Sequence, residues 1–496
     1  MGGSDEMTVL PWLATADQHS PWQQLSAVVT GLGVSGAAVA DVLAKLGSRV
    51  TVLDEQDGDA QRDRATTLEA HGAIVRLGPA AVQLPAGTQL VVTSPGWRPN
   101  AALFTQAAAD GVPVWGEVEL AWRLRNPATP WLTLTGTNGK TTTVRMLAAM
   151  LGAAGLRTTA AGNVGDPIIS AVVDPAGYDV IAVELSSYQL HWTYSVAAQS
   201  AALLNVAPDH VDWHGTFDAY AADKARIYAR VHDTCVYNAA DRLTEQLLGN
   251  VDLEQGVRAV GFTLNEPDVG MLGVTDGVLT DRAFGDDTSS AQPSKSSMVE
   301  LAAVDDVTPP APHNVANALA AAALARSFGV PPYAVRDGLR GFQPDPHRIQ
   351  HIATIRGVRY VDDSKATNPH AAAASLMAYD SVVWIAGGLA KGATFDELVT
   401  LAQARLRGVI LIGADQGLIA DTLSRHAPDI PVIRLRTTQN HAVDTTMSRV
   451  VEAAAGLAQS GDTVLLAPAC ASFDMFANYG ARGDAFAAAV RRHELG

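Results

Sequence analysis

Cysteine is almost absent: Cys235 and Cys470 are the only two in 496 residues. So few exclude a disulfide framework in a chain this long, and the expected compartment is the reducing cytoplasm. Basic residues are in deficit, 35 Lys and Arg against 51 Asp and Glu, for a net charge of −16. That balance argues against nucleic acid as a partner, while leaving room for a local basic site that holds a small anion. No apolar run reaches the length of about 18 residues that a membrane span needs. The opening stretch "MGGSDEMTVLPWLATADQHS" has acids where a signal peptide has bases, and Pro11 breaks its short apolar run. Hydrophobic residues at 48% with 17% charged describe a globular enzyme. At roughly 150 residues per domain, the length suggests about three domains.

One absence is local. In "TLTGTNGKTTTV", residues 133–144, Leu134 stands where the phosphate-loop pattern G-x-x-x-x-G-K-[ST] has its first glycine. The rest of the pattern is present. "WLTLTG" is a strand, Gly136 and Gly139 let the backbone approach phosphates, and a helix is predicted to begin near Lys140. Thr137 and Asn138 complete the turn, and Thr142 follows in the helix as a further nucleotide-binding candidate. Backbone N–H groups and the helix dipole there face an anion, Lys140 can reach the β- and γ-phosphates of a nucleotide, and the Thr141 hydroxyl can bind Mg2+.

Elsewhere the periodicity alternates between strand and helix. From residue 25 to about 115, "AVVTGLG", "GAAVADVLAKLG", "RVTVLDE" and "QLVVTSPG" form βαβ units on a parallel sheet. "RLRNPATP", residues 123–130, reads as a linker. A second unit runs from "WLTLTG" through "YDVIAVELSS" and "AALLNVAPDH" to the helical "FDAYAADKARIYARV". Within it "GFTLNEPDVGMLGVTDGVLTD" predicts hairpin strands and "GDDTSSAQPSKSSM" a polar surface loop. "NVANALAAAALARSFG" predicts a closing helix stopped at Gly329, with Pro331 beyond. After "PDPHR" the segments "VRYVDD", "VVWIAGG", "GVILIG" and "TVLLAP", with helical patterns between, predict a third parallel sheet. The expected fold class is α/β in three domains: a Rossmann-like domain over residues 1–122, a P-loop domain over 123–343, and a Rossmann-like α/β domain over 344–496.

Several polar residues sit where chemistry is expected. Glu184 ends an apolar strand, a place from which a carboxylate can hold Mg2+. His210 follows another strand, and Lys224 lies 14 residues later on a helix, on the side of Tyr220 and Tyr228. An isolated histidine is usually structural and such a lysine is usually a solvated charge, so spacing alone leaves both readings open. Asn314 and Asn317 share one face at a helix start and can offer amide donors and acceptors to an adenine ring, or cap the helix.

"GLGVSG", residues 31–36, satisfies G-x-G-x-x-G after a strand, and Asp54 ends the next strand. Alone, this fingerprint makes an NAD-dependent oxidoreductase the leading idea. The same turn can bind the diphosphate of a UDP-sugar, because its physics concerns pyrophosphate rather than nicotinamide. NAD titration separates the two. A non-catalytic precursor-binding protein is the other rival, and it predicts no ATP turnover.

With "TGTNGKTT", "GNVG", "ELSSYQL", "NVAPDHVDWHG", "DKARIY", "HNVANALAA", "PHR", "DDSKATNP" and "PACASFDMF" in that order, the chain resembles the Mur ligases, ATP-dependent amide-forming enzymes of peptidoglycan synthesis. It is most similar to the members that add D-glutamate. Other amino-acid specificities within the family are the nearer alternative, although the D-N-P-R signature of diaminopimelate-adding members is missing. The related folate polyglutamylation enzymes share the phosphate loop but not "PACASFDMF". The family's own loop is the shorter G-T-N-G-K-[ST], which accounts for Leu134.

The resemblance implies that the three domains take the UDP precursor, ATP, and the incoming amino acid with part of the ATP. It implies Glu184 and His210 as magnesium ligands, with Lys224 carrying a CO2-derived carbamate that binds a second Mg2+. A carbamate turns a cation into an anionic oxygen ligand, which hard Mg2+ prefers. For ATP it implies the loop residues, Asn314 and Asn317, Asp363 at the ribose, and Arg348 and Lys365 near the phosphates. For UDP-N-acetylmuramoyl-L-alanine it implies Val34, Ser35, Asp54, Glu55, Ser94 and Gly96, with Asn163 and His210 toward the muramoyl part. Thr367, Lys391, Ser472 and Tyr479 match the positions that hold D-glutamate, a dicarboxylate that needs cations and donors at two ends. The implied reaction proceeds through an acyl phosphate to ADP and phosphate, with Lys140, His210 and Lys224 in the catalytic set, in a cytoplasmic monomer.

Overall fold

The computed structural model describes residues 10–285, 298–435 and 443–495. Most of the polar stretch expected to be a surface loop, residues 286–297, and residues 1–9 of the opening stretch lie outside them. The chain divides into two compact units, Met1–Val307 with Ala316–Phe342, and Thr308–Val315 with Gln343–Gly496.

The first unit holds two sheets. One is wholly parallel, formed by β1 (Ser26–Thr30), β2 (Arg49–Asp54), β3 (Ile74–Leu77), β4 (Leu90–Thr93) and β5 (Val114–Gly116) in the order β3-β2-β1-β4-β5. Strand order therefore reverses at β1, and the turn after it lies beside the turn after β4, the usual place for a ligand crevice. The other sheet contains β6 (Trp131–Thr135), β7 (Thr158–Gly162), β8 (Val180–Glu184), β9 (Ser200–Leu203), β10 (Thr234–Asn238), β11 (Arg258–Phe262), β12 (Met271–Thr275), β13 (Val278–Asp281) and β14 (Val299–Ala303). Its order is β14-β13-β12-β11-β10-β9-β6-β8-β7. β6 is an interior strand between β9 and β8, and every residue of β6 and β8 is buried. Both faces are covered, which is why these strands read as unbroken apolar runs rather than alternating ones. The expected hairpin is present, β12 antiparallel to β13.

The second unit holds one sheet of β15 (Gln350–Ile355), β16 (Val358–Asp362), β17 (Val382–Gly387), β18 (Leu406–Ile412), β19 (Val432–Arg434) and β20 (Thr463–Leu466), ordered β15-β16-β20-β17-β18-β19. It corrects the expectation of a purely parallel sheet, because β15 runs antiparallel to β16. Only the two-residue turn Arg356–Gly357 joins them, too short for the crossover that a parallel pair requires.

The linker expected at residues 123–130 is also shorter than the sequence suggests. Arg123 and Leu124 finish the helix Glu117–Leu124. Arg123 Nε donates to Glu119 Oε1 at 2.9 Å, and its guanidinium lies over the Trp115 ring. Glu119 is fully buried, and its other oxygen accepts from the backbone N–H groups of Tyr194 and Ser195 at 2.8 and 2.9 Å. This carboxylate ties the segment after the first sheet to the second, so the chain becomes a turn only after Leu124.

Candidate active site

In the first unit, β6 delivers the chain to the loop 136–139, and the helix Lys140–Ala153 begins at the lysine. Leu134 lies inside β6, fully buried, in register with Glu184 of β8 and Ala202 of β9. The expected glycine is missing because this position belongs to the strand. Asn205, just past β9, accepts from Asn138 N at 2.8 Å through Oδ1 and donates back to Asn138 O at 3.1 Å. Thr137 is fixed through its hydroxyl, which accepts from Ala207 N at 3.0 Å and shares a 2.9 Å bond with Tyr220 OH. Lys140 Nζ donates to the carbonyls of Gly136 and Thr137, both at 2.9 Å.

Gly139 caps the helix at φ +82°, and a Cβ there would stand 2.3 Å from Asn317 Oδ1. Strain and collision coincide, so Gly139→Ala is expected to weaken ATP binding at least about tenfold and to lower stability by roughly 1–2 kcal/mol. Nucleotide titration and thermal unfolding of the variant check both effects; unchanged affinity would refute this account of the loop.

Glu184 and Lys224 are both buried beside this loop. Glu184 Oε1 accepts from Asn163 Nδ2 at 2.8 Å, whereas its Oε2 has no hydrogen-bond partner among the described residues. A buried carboxylate oxygen left without a donor is costly unless something electropositive meets it, so this atom fits a cation. Lys224, 1% exposed, donates from Nζ to Gly136 O at 2.8 Å and lies 4.9 Å from the centre of the Tyr220 ring. Burial first, and then the charge of Lys140, push its ammonium well below the usual lysine range, against the opposing pull of Asp209 and Glu184. Tyr228, expected on the same side, instead donates to Val236 O at 2.7 Å from a short turn.

His210 adopts the left-handed conformation (φ 52°) at the start of the short helix Val211–His214, its ring 4.8 Å from that of Tyr188. Behind it stands a network that sequence reasoning missed. Asp223 Oδ2 meets Nδ1 of His191 at 2.8 Å and Nδ1 of His214 at 3.0 Å, and His214 Nε2 lies 3.0 Å from Ser187 Oγ. The Asp223 carboxyl is held below its usual range: burial opposes this, but the bonds to both histidines prevail. The order serine, histidine, aspartate is that of a hydrolase triad. Ser187 is buried and the His214 side chain is only 1% exposed, however, and the bonds instead join the segment after Glu184 to the helix that carries Lys224.

At the first sheet, Val34 and Ser35 open the helix Val34–Lys45. A Cβ on Gly36 would lie 1.8 Å from Gly31 O, so the close approach of helix and turn requires this glycine. Ser94 follows β4 and donates to Gly31 O, and Gly96 is exposed two residues on. The Asp54 carboxylate accepts from Leu32 N at 2.6 Å and Gln56 N at 2.8 Å, while Glu55 is exposed. Asp54 therefore holds the glycine turn itself, which weakens the NAD reading of the fingerprint.

Asn317 belongs to the first unit and Asn314 to the second, although one helix, Pro312–Ser327, carries both. Within the second unit, the expected residues gather at the C-terminal ends of β16, β17 and β20. Asp363, Lys365 and Thr367 follow β16, Lys391 follows β17, and Ser472 follows β20. Paired bonds between Leu389 and Ala471, and Ala469 N donating to Ala366 O at 2.9 Å, draw the three loops together. Lys365 Nζ sits 4.0 Å from the centre of the Tyr479 ring, and Lys391 Nζ 5.5 Å from that of Phe473. The Asp363 carboxyl bonds Ser375 Oγ and is pushed up to about 6 by burial, against the lowering effects of Ser375 and Arg348. Arg348 Nε lies 3.7 Å from Asp345 Oδ2.

His347, beside Arg348, meets Asp362 Oδ2 at 2.7 Å, and that bond raises its imidazole above the usual range against the effect of burial. The resulting stability is fully present below pH 6.5, the ordinary histidine value, and is lost as pH rises through the raised value in the folded state. The expected result is a melting temperature that falls across this window in the unaltered protein and changes less in His347→Gln. Equal slopes in the two proteins would refute the assignment.

A phosphate loop on a mostly parallel sheet, preceded by a glycine-turn α/β sheet and followed by a third sheet with cations at its strand ends, defines a nucleotide-using α/β enzyme. Three family patterns match in chain order: the Mur ligase MurD-like N-terminal domain over residues 25–116, the Mur ligase middle domain over 134–325, and the Mur ligase glutamate ligase domain over 347–470. The UDP-N-acetylmuramoylalanine–D-glutamate ligase of Streptomyces avermitilis is 61% identical over 472 residues, covering 95% of this chain and 98% of the relative. That of Thermobifida fusca is 57% identical over 465 residues, covering 93% and 97%. The chain belongs to the Mur ligase family. Among solved structures, the MurF ligase of Thermotoga maritima in complex with ADP is similar in fold, with a TM-score of 0.56 at 15% identity, covering 96% of this chain and all of that one. MurC from the same organism gives 0.54 at 18% identity, covering 95% and 99%.

Proposed function

We propose that this chain joins the L-alanine carboxylate of UDP-N-acetylmuramoyl-L-alanine to the amine of D-glutamate, with cleavage of ATP to ADP and phosphate. The observation that carries the reading is near-full-length similarity, at 61% identity, to a ligase named for this reaction. The remaining assignments belong to the same proposal: residues 1–122 hold the UDP precursor, 123–343 hold ATP, and 344–496 hold D-glutamate and part of the nucleotide, in a cytoplasmic monomer. Among the described residues no helix is long and apolar enough to cross a membrane.

A carboxylate resists amines because oxide is a poor leaving group. Transfer of the γ-phosphoryl group to the L-alanine carboxylate gives an acyl phosphate; attack by the D-glutamate amine then expels phosphate. Lys140 supplies positive charge to the transferring group, and the loop N–H groups position it. Mg2+, when bound, would be held by Thr141, Glu184, His210 and carbamylated Lys224, as two ions, and would neutralise the phosphoryl oxygens. The orphaned Oε2 of Glu184 suits this role. Among the described residues no three His, Cys, Asp or Glu side chains group as a metal site, so a carbamate on Lys224 would supply an anionic oxygen that the unmodified side chains lack. Asn163 orients Glu184 through its other oxygen. In the second unit, Arg348 and Lys365 bring positive charge to the nucleotide phosphates, and Asp363 binds its ribose. Thr367, Lys391, Ser472 and Tyr479 hold the amino acid. The glycine turn and β4 loop take the UDP end through Val34, Ser35, Asp54, Glu55, Ser94 and Gly96.

The test is phosphate release with ATP, Mg2+ and UDP-N-acetylmuramoyl-L-alanine against a panel of amino acids. Stimulation by D-glutamate alone is expected. Stimulation by another amino acid instead would overturn the specificity while leaving ligation intact, and tight NAD binding would count against the precursor site.

A further inference from the structure

Arg482, in the helix Tyr479–Leu495, is one of the largest fully buried side chains, at 1% exposure, yet among the described residues it forms no ion pair. Its guanidinium spends its donors on neutral oxygens: Nε to Ser364 Oγ at 2.9 Å, Nη2 to Ser364 O at 2.9 Å, and Nη1 to Cys470 O at 3.1 Å. Ser364 Oγ in turn donates to Tyr479 O at 2.7 Å. One planar fork therefore fastens three segments: the loop after β16 at Ser364, the loop after β20 at Cys470, and the start of the helix at Tyr479. Each carries residues already proposed for the amino-acid end of the site, namely Lys365 and Thr367, Ser472, and Tyr479.

All the hydrogen bonds of this buried cation go to neutral acceptors, while Asp362 and Asp474 favour its charge from nearby without bonding it; if the sole task were to hold loops together, neutral donors would do so without its desolvation. A cation has a second use where the ligand is anionic. We propose that Arg482 is a positioning residue for the incoming acidic amino acid: it sets the spacing of the three loops and lends them positive potential that a carboxylate-bearing ligand meets on binding. The inference rests on the reading of D-glutamate as that amino acid. Lysine cannot replace it, because a single ammonium cannot span both loops as a planar fork does.

The test compares Arg482→Lys, Arg482→Gln and Ser364→Ala, with Arg491→Gln on the exposed side of the same helix as a control. Steady-state phosphate release gives KM separately for D-glutamate, ATP and the UDP precursor. In Arg482→Gln the D-glutamate KM is expected to rise at least about tenfold, with the other two constants within about threefold. Arg482→Lys should fall between Arg482→Gln and the unaltered enzyme, and Ser364→Ala should shift the same constant to a smaller degree with the charge retained. Arg491→Gln should shift none. Loss of active enzyme with every KM unchanged, or an equal rise in all three, would overturn the inference and leave Arg482 a folding residue. If Arg482→Gln does not fold, Ser364→Ala decides on the same criterion. The underlying reading fails separately, if the unaltered enzyme shows no stimulation by D-glutamate at all.

Discussion

Replacing Lys224 by Arg should lower ligase turnover by about a hundredfold to a thousandfold, the range found when one charged or polar group is removed from a phosphoryl- or acyl-transfer site. The reason begins with burial. Lys224 is 1% exposed, sits against Gly136 O of the phosphate loop, and has its ammonium disfavoured by burial and by Lys140. A lysine held toward its neutral amine is a nucleophile, and a neutral amine is the form that takes up CO2 to give a carbamate and a proton. Arginine stays cationic and cannot follow. In place of the proposed anionic oxygen beside Glu184, the variant puts a second permanent positive charge near Lys140. Lys224→Ala should fail for a different reason, since it would remove the proposed carbamate without adding charge, and comparing the two separates repulsion from ligand loss. Turnover of the unaltered enzyme should also fall in CO2-stripped buffer and return with bicarbonate. NMR with 13C-labelled bicarbonate should show a carbamate resonance that both variants lack. Full activity in Lys224→Arg, or no such resonance in the active enzyme, would sink the carbamate assignment.

The parts of this site that were legible in the sequence are those written by local rules. A β-branched run, two glycines and a lysine suffice to predict β6, its loop and the helix at Lys140, because each depends on residues within a turn or two. Leu134 looked like a defect in the loop and proved to be a strand position, buried against neighbours on β8 and β9. The same locality explains the errors. Turn-forming residues from Asn126 onward suggested a linker from 123, but Arg123 is held in its helix by Glu119 and Trp115, neither of which a turn signal registers. Asp54 completed the dinucleotide fingerprint by spacing, which does not register that its carboxylate accepts from two backbone N–H groups.

Less legible still were contacts that depend on how distant segments meet. Asp223 binds His191 from 32 residues away, and Arg482 reaches Ser364 across 118. Neither partner lies within reach of any periodicity. Arg482 carries a further lesson, since a charged residue on a helix is read by default as solvated, and only its burial reveals a different task.

Arg326→Met should be the most destabilising single change predicted for the first unit, at about 3–5 kcal/mol. Arg326 lies in the last turn of Pro312–Ser327, and its Nε meets Asp281 Oδ2 at 2.9 Å with side-chain exposures of 1% and 0%. The remaining donors go to Val330 O at 2.8 Å and to Gly285 O, and Asp281 Oδ1 accepts from Ala283 N and Phe284 N at 2.8 and 3.0 Å. Every strong partner is therefore engaged, and the pair locks the end of β13 to the long alanine-rich helix. Methionine matches much of the arginine volume but leaves the Asp281 charge buried without a cation, so the dominant penalty is the stranded carboxylate rather than a cavity. The double variant Arg326→Met/Asp281→Asn tests that mechanism. Asparagine keeps an acceptor for the two backbone N–H groups and removes the charge, so the double change should cost less than the sum of the two single changes. Urea unfolding, followed through buried tryptophans such as Trp131 in β6, supplies the free energies, and a melting temperature lower by about 10 °C is expected for the single variant. Strict additivity would show that Asp281 is not stranded by the loss of Arg326, and that the destabilisation comes from the lost bonds to Val330 and Gly285 instead.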